Sequence, residues 1–99
     1  MSAEFQDHED ITAAAAAGDV DEVAAILSMD NRLTRVVDRD GWTPLHIAAH
    51  RGHAAVVEML LANNADPTAR TADGRTALAL AEQAGRSAVA ELLRAGGAR

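Results

Sequence analysis

Apolar residues recur along this chain with helical spacing. Residues at i, i+3 and i+4, or at i, i+1, i+4 and i+5, lie on one side of a helix and can be buried together. The centre of the chain contains two such groups in succession: Leu45, Ala48 and Ala49, followed by Val56, Val57, Leu60 and Leu61. The same pattern before and after them predicts six helices, near residues 8–17, 20–29, 44–51, 54–62, 77–84 and 87–95.

The ends of the central helices have recognisable signals. Thr43 is a typical N-cap, Pro44 fits the first helical position, and the imidazole of His46 lies three residues after the cap, where it can bond back to it. Gly52 is expected to end this helix in the left-handed conformation. Asn64 follows the next helix, and we expect a positive φ there because asparagine tolerates it better than most residues. Asp19 and Glu22 resemble a capping box, which predicts the start of the second helix.

Much of the sequence of the central stretch, residues 40–67, is repeated 33 positions later. This shift places Asp40-Gly41 on Asp73-Gly74, Thr43 on Thr76, and Gly52 on Gly85. Upstream the offset becomes 34, so that Ile11 corresponds to Leu45 and Gly18 to Gly52. A period of this length indicates a repeat architecture with three helix pairs. The connections 30–43 and 63–76 carry regularly spaced Gly, Asp and Thr, and we interpret each as a projecting turn with the form of a hairpin tip.

Composition narrows the class of protein. Ninety-nine residues predict one domain, and 48% hydrophobic residues with one Phe, one Trp and no Tyr predict a core of closely packed Ala, Val, Ile and Leu. The chain contains no cysteine, which excludes a disulfide framework and a thiolate zinc site. A formal net charge of −6 argues against nucleic-acid or anionic-membrane binding. Because no apolar run reaches a membrane-spanning length and residues 1–10 are unlike a secretory signal, we expect a soluble, cytoplasmic protein.

The central motif, DGWTPLHIAAHRGH followed by VV, LL and AD, resembles the ankyrin repeat, and this resemblance covers about 90 of the 99 residues. It implies an all-α fold, an α-solenoid of stacked antiparallel helix pairs with projecting β-hairpin-like turns. It also implies that the histidines at two motif positions bond to backbone groups within and between repeats. The residues that carry the structural motif are Gly41, Thr43, Pro44, Leu45, His46, Gly52 and His53.

Only the middle repeat is complete. The last repeat has Ala77, Ala79 and Arg86 at the positions of Pro44, His46 and His53. A terminal repeat stacks on one neighbour only, so it can lose inter-repeat contacts and needs a polar outer face. We therefore divide this single domain into an N-terminal capping repeat (1–38), a full internal repeat (39–71) and a C-terminal capping repeat (72–99).

Trp42 is the strongest candidate for a binding residue. It lies at the junction of hairpin and helix and is not required for the helical core, although it could instead cover the neighbouring tip. Tryptophan is the most typical residue of binding hot spots. The resemblance implies binding of another protein through the hairpin tips and the inner-helix face, and the candidate residues there are Arg39, Asp40, Trp42, His50, Arg51, Asp73, Arg75 and Gln83.

Three other functions can be compared with the sequence. His46, His50 and His53 are spaced i, i+4, i+7, but no carboxylate accompanies them and Gly52 interrupts the helix, so we expect no metal site and no cofactor. No nucleophile elbow or phosphate loop is present, which predicts a protein that is not an enzyme. A regulatory or assembly subunit that stacks on an enzyme and occludes it remains an alternative. Arg94 and Gly96-Gly97 favour a closed end and hence a monomer.

Overall fold

The computed structural model describes residues 6–97, with side chains from residue 11 onward. It contains six α-helices and one short 3-10 helix, which we number in chain order: α1 (Gln6–Ala17), α2 (Val20–Met29), the 3-10 helix (Asn31–Arg35), α3 (Pro44–Arg51), α4 (Ala54–Ala62), α5 (Ala77–Gln83) and α6 (Ser87–Ala95). The six predicted helices are confirmed, each within two residues at either end. The sequence also predicts that residues 1–6 fray and that Phe5 folds back on the first helix. Residues 1–5 lie outside the described residues, and Gln6 belongs to α1.

The helices form three antiparallel pairs that stack side by side. In the inner row, α3 lies between α1 and α5 and contacts both. In the outer row, α4 contacts α2 and α6 in the same way. The molecule is elongated, with extents of 41 × 26 × 20 Å. Each pair contributes to one continuous core, whose largest members are Ile11, Val23, Leu27, Leu45, Val56, Val57, Leu60, Leu78, Val89 and Leu93.

Alanine lets the inner row pack closely. Ala15, Ala48, Ala49 and Ala81 are completely buried between neighbouring helices. Each larger aliphatic side chain buried beside them contributes about 1.5–3 kcal/mol. The core therefore extends along the whole stack, and all three helix pairs contribute to it.

The start of α3 confirms the predicted capping box. The Thr43 hydroxyl accepts a hydrogen bond from the His46 backbone N–H at 3.3 Å, and His46 Nδ1 accepts one from the Thr43 backbone N–H at 3.1 Å. Pro44 is the first residue of the helix, and Gly52 ends it with φ 79°. Thr76 caps α5 in the same way, accepting from the Ala79 N–H at 3.1 Å. Asn64 has φ 69°, which confirms the positive φ predicted for it.

The first connection differs from the prediction. Residues 30–43 were expected to form only a projecting turn, but they begin with the 3-10 helix Asn31–Arg35. Asp30 caps this helix by accepting a bond from the Arg32 N–H at 3.1 Å. The helix is held against the core because Thr34 is buried and Leu33 packs against buried apolar residues.

The tips of both connections are tight turns, as predicted. In the first, the Asp38 N–H donates to the Trp42 carbonyl at 3.0 Å. In the second, the Thr71 N–H donates to the Arg75 carbonyl at 2.8 Å, beside a β-bridge. The two tips are also joined, because the Ala72 N–H donates to the Asp40 carbonyl at 3.0 Å.

A side-chain contact that recurs along the chain joins successive repeats. His53 Nε2 lies 3.0 Å from the carbonyl oxygen of Ala16, in the preceding repeat. At the corresponding position of the last repeat, Arg86 Nε donates to the carbonyl of His50 at 3.1 Å. A terminal repeat can lose such contacts, but Arg86 keeps this one. The Arg86 guanidinium bonds to a backbone carbonyl of the preceding repeat, as the His53 imidazole does, so the last repeat remains bonded to its neighbour.

Candidate functional site

Trp42 is held at the base of the first hairpin by backbone hydrogen bonds. Asp38 Oδ1 accepts the N–H groups of Trp42 at 3.0 Å and of Asp40 at 2.9 Å. The indole is partly buried and meets the imidazole of His50 edge-on, with ring centroids 5.4 Å apart and an interplanar angle of 79°. Its ring is also tilted against His46, at 6.4 Å. The side chain is therefore fixed in orientation while part of its surface stays open to solvent.

An open groove of about 580 Å³ lies beside the indole, and we call it the Trp42 groove. It is lined by Thr12, Ala13, Ala16, Asp38, Asp40, Trp42, Ile47, His50 and Arg51. The groove exists because α1 presents small residues where the later helices are larger: Ala13 corresponds to Ile47 and Leu80 in the repeat alignment. Its walls combine an aromatic ring, apolar side chains and charged groups of both signs.

Three candidates of the last repeat bond to one another. Arg75 Nη2 lies 3.0 Å from Asp73 Oδ2, Arg75 Nε lies 3.1 Å from the same oxygen, and Arg75 Nη1 donates to Gln83 Oε1 at 3.2 Å. The Thr71 hydroxyl also donates to Asp73. Hydrogen bonds from Thr71 and then from Arg75 lower the pKa of the Asp73 carboxyl, because they favour its charged form. This network ties the second tip to α5.

The eight predicted binding residues thus divide into two groups. Asp40, Trp42, His50 and Arg51 line the Trp42 groove, and Arg39 lies in the adjacent exposed turn. Asp73, Arg75 and Gln83 form the separate network described above. The prediction omitted the other groove residues, which are Thr12, Ala13, Ala16, Asp38 and Ile47. Ala13 and Ile47 occupy the same position in successive repeats, so the repeat alignment carried a signal for them that was not used.

His46, His50 and His53 make different contacts. His46 Nδ1 accepts a backbone hydrogen bond, so its Nε2 carries the proton and donates to the Ala69 carbonyl at 3.0 Å. Burial lowers the pKa of His46 below its ordinary value of 6.5, because the imidazolium is poorly solvated there. His53 Nε2 bonds to Ala16, and His50 contacts Trp42. Within residues 11–97 no group of three His, Cys, Asp or Glu side chains is placed to hold a metal ion.

A second cleft, of about 720 Å³, lies between the two connections and α4. Arg35 and Arg70 border it, together with Val37, Leu61 and Pro67. None of the predicted binding residues lines this cleft.

The family model described as "Ankyrin repeats (3 copies)" matches residues 11–99. This chain belongs to the ankyrin-repeat family. Ankyrin repeats are generally protein–protein interaction modules and not catalytic units. No ankyrin helix in the described part of the chain is long and apolar enough to span a bilayer.

Three relatives share ankyrin-repeat sequence with this chain. The "60 kDa lysophospholipase" of Mus musculus is 57% identical over 49 residues, 50% of this chain and 8% of the relative. The "2-5A-dependent ribonuclease" of Mus musculus is 35% identical over 65 residues, 66% of this chain and 9% of the relative. "Delta-latroinsectotoxin-Lt1a" of Latrodectus tredecimguttatus is 49% identical over 35 residues, 35% of this chain and 3% of the relative. The chain therefore spans less than a tenth of each relative, and the enzyme names belong to much longer proteins.

Proposed function

We propose that this chain is a non-enzymatic protein-binding module that contacts its partner through the hairpin tips and the inner-helix face. The centre of the contact is the Trp42 groove, with Arg39 beside it. Asp73, Arg75 and Gln83 extend the same face by one repeat. We also propose that residues 1–38 and 72–99 cap the full repeat 39–71 at its two ends.

The position of Trp42 is the observation that carries this proposal. The indole is not part of the buried apolar core. Asp38 holds the backbone of Trp42, His50 contacts the edge of its ring, and the ring borders an open groove. A large aromatic side chain whose orientation is already fixed loses little conformational entropy on binding, which is the usual property of a hot spot. An interface at or below about 800 Å² per partner suits a face of this size.

The alternative is a regulatory or assembly subunit that stacks on or occludes an enzyme, with its stack continuing into another chain, and it finds less support. The last repeat leaves the Gln83 carbonyl, equivalent to the bonded carbonyls of Ala16 and His50, without a partner among the described residues. In a second copy the residue at the position of His53 and Arg86 is Asp19, whose side chain already accepts the Glu22 N–H at 3.1 Å and supplies no N–H group to bond this carbonyl. We therefore expect light scattering to report a monomer. A stable dimer would favour the stacking alternative.

A quantitative pull-down tests the proposal. The wild-type chain and Trp42→Ala are used to capture proteins from an extract of the source cells, and each captured protein is measured by mass spectrometry. Met29→Ala is the matched control, because Met29 is a large apolar side chain that is 88% exposed at the end of α2, away from the groove. We expect specific partners to be lost with Trp42→Ala and kept with Met29→Ala. Partners retained in full by a folded Trp42→Ala protein would contradict the proposal.

A further inference from the structure

The two hairpins of the chain can be compared position by position. Asp38, Asp40 and Trp42 of the first correspond to Thr71, Asp73 and Arg75 of the second. In the second hairpin, the Arg75 guanidinium binds the Asp73 carboxylate, with Nη2 to Oδ2 at 3.0 Å. The charge of this carboxylate is therefore neutralised within the chain.

The first hairpin has the same backbone frame without the cation. Asp38 Oδ1 accepts the Trp42 N–H at 3.0 Å, just as the Thr71 hydroxyl accepts the Arg75 N–H at 3.0 Å. Asp38 thereby adds a second carboxylate next to Asp40, and Trp42 takes the place of the arginine. The Asp40 carboxylate forms no hydrogen bond or ion pair with any described residue, and Arg51, which also borders the groove, is paired with neither aspartate.

From this comparison we infer that an arginine side chain of the partner enters the Trp42 groove, with its guanidinium on the Asp40 carboxylate. The inference rests on the proposed function and specifies the chemistry of its ligand. The incoming guanidinium would complete the first hairpin as Arg75 completes the second. Charge complementarity supports this choice, since two carboxylates border the groove of a chain whose formal net charge is −6.

The other walls of the groove suit an arginine side chain. A planar guanidinium binds a carboxylate through two parallel N–H groups and packs against an indole face. Its aliphatic stem can lie on apolar surface while the charged end stays polar. Ala13, Ala16 and Ile47 supply such a surface beside Trp42. A lysine carries a compact charge without the planar geometry, so it meets fewer of these contacts.

The probe for this inference is a library of random peptides displayed on phage. Peptides are selected on the wild-type chain, and those that also bind Trp42→Ala are removed. The remaining peptides are synthesised with each arginine in its native form or replaced by citrulline, which has nearly the same shape and no charge. Their affinities are measured for the wild type, for Asp40→Asn and for Asp21→Asn, a control with the same change in charge at an exposed site of α2.

We expect arginine to be enriched in the selected peptides, and one citrulline replacement to weaken binding about tenfold, the usual effect of losing a hydrogen bond to a charged group. Asp40→Asn should weaken the arginine peptide to a similar extent and leave the citrulline peptide unchanged. Asp21→Asn should alter neither by more than about twofold, because exposed charges contribute little. Circular dichroism verifies that each variant is folded.

The remaining outcomes separate the two proposals. Peptides that require Trp42 but bind equally well with citrulline, or equally well to Asp40→Asn, would refute the arginine inference and leave the proposed binding face standing. A selection that yields no Trp42-dependent peptide would contradict both.

Discussion

Replacing Gly18 by alanine should destabilise the fold much more than the same replacement at Gly85. Both glycines follow an inner helix and both have φ 75°, so a Cβ imposes the same backbone strain at each. They differ in what that Cβ would meet. At Gly18 it would lie 2.7 Å from Nδ1 and 2.8 Å from Cε1 of the His53 ring, whereas at Gly85 no atom lies within 4 Å.

The difference can be estimated from these contacts. The left-handed conformation costs an alanine about 1 kcal/mol, and this is the whole effect expected at Gly85. At Gly18 the rigid imidazole must also move, which adds about 1 kcal/mol or more for overpacking. Moving the ring breaks the His53 bond to the Ala16 carbonyl, worth about another 1 kcal/mol. We therefore expect Gly18→Ala to cost about 2 kcal/mol more than Gly85→Ala.

Urea denaturation followed by circular dichroism measures both free energies of unfolding. A His53→Ala background provides the internal control, because removing the ring removes the obstacle. In that background Gly18→Ala should cost no more than Gly85→Ala does. Equal destabilisation by the two alanines in the otherwise wild-type chain would refute the reasoning.

Three further predictions concern single residues. Asn64→Gly should be neutral or raise the free energy of unfolding by up to about 1 kcal/mol, because glycine adopts the observed φ of 69° without strain; urea denaturation showing a clear loss would contradict this. Burial lowers the pKa of His46 below 6.5, so the unfolded chain binds more protons than the folded one. The free energy of unfolding should therefore be highest above that pH and fall as the pH drops through it. His46→Gln should show a smaller fall when denaturation is compared at about pH 7.5 and pH 5. Arg86→Ala should lower the free energy of unfolding by about 1 kcal/mol through loss of the bond to the His50 carbonyl, and an unchanged value would show that this contact is not formed in solution.

The sequence predicted the helices and their ends because those features depend on neighbouring residues. The cap formed by Thr43, Pro44 and His46 and the positive φ of Asn64 follow from local chemistry alone. The repeat of 33 residues then determined which helices stack.

The missed features depend on tertiary geometry. Asp30 is a local cap for the 3-10 helix, but the packing of Leu33 and Thr34 against the core decides that the residues after it form a helix and not a turn. The Arg86 contact required knowledge of how far a guanidinium reaches toward the preceding helix. Asp73 and Arg75 were predicted as binding residues, but their mutual ion pair could be recognised only from side-chain geometry.

The Trp42 groove was not predicted from the sequence, for a different reason. Its depth comes from Ala13 and Ala16, and small residues on a helix are usually interpreted as close packing. Only the comparison with Ile47 at the equivalent position shows that side-chain volume is missing on that face. The candidate site was therefore found through its largest residue, while the small residues that form its floor were overlooked.

Site-specific photo-crosslinking tests the central claim most directly. A photoreactive amino acid is placed at position 39, in the exposed turn beside the groove, or at position 58 on the exposed surface of α4, so that Trp42 is kept in both proteins, and each protein is irradiated in the extract used for the pull-down. The account predicts a specific crosslinked partner from position 39, outcompeted by unlabelled wild-type protein, and no such product from position 58. A partner captured equally from both positions, or from position 58 alone, would contradict it.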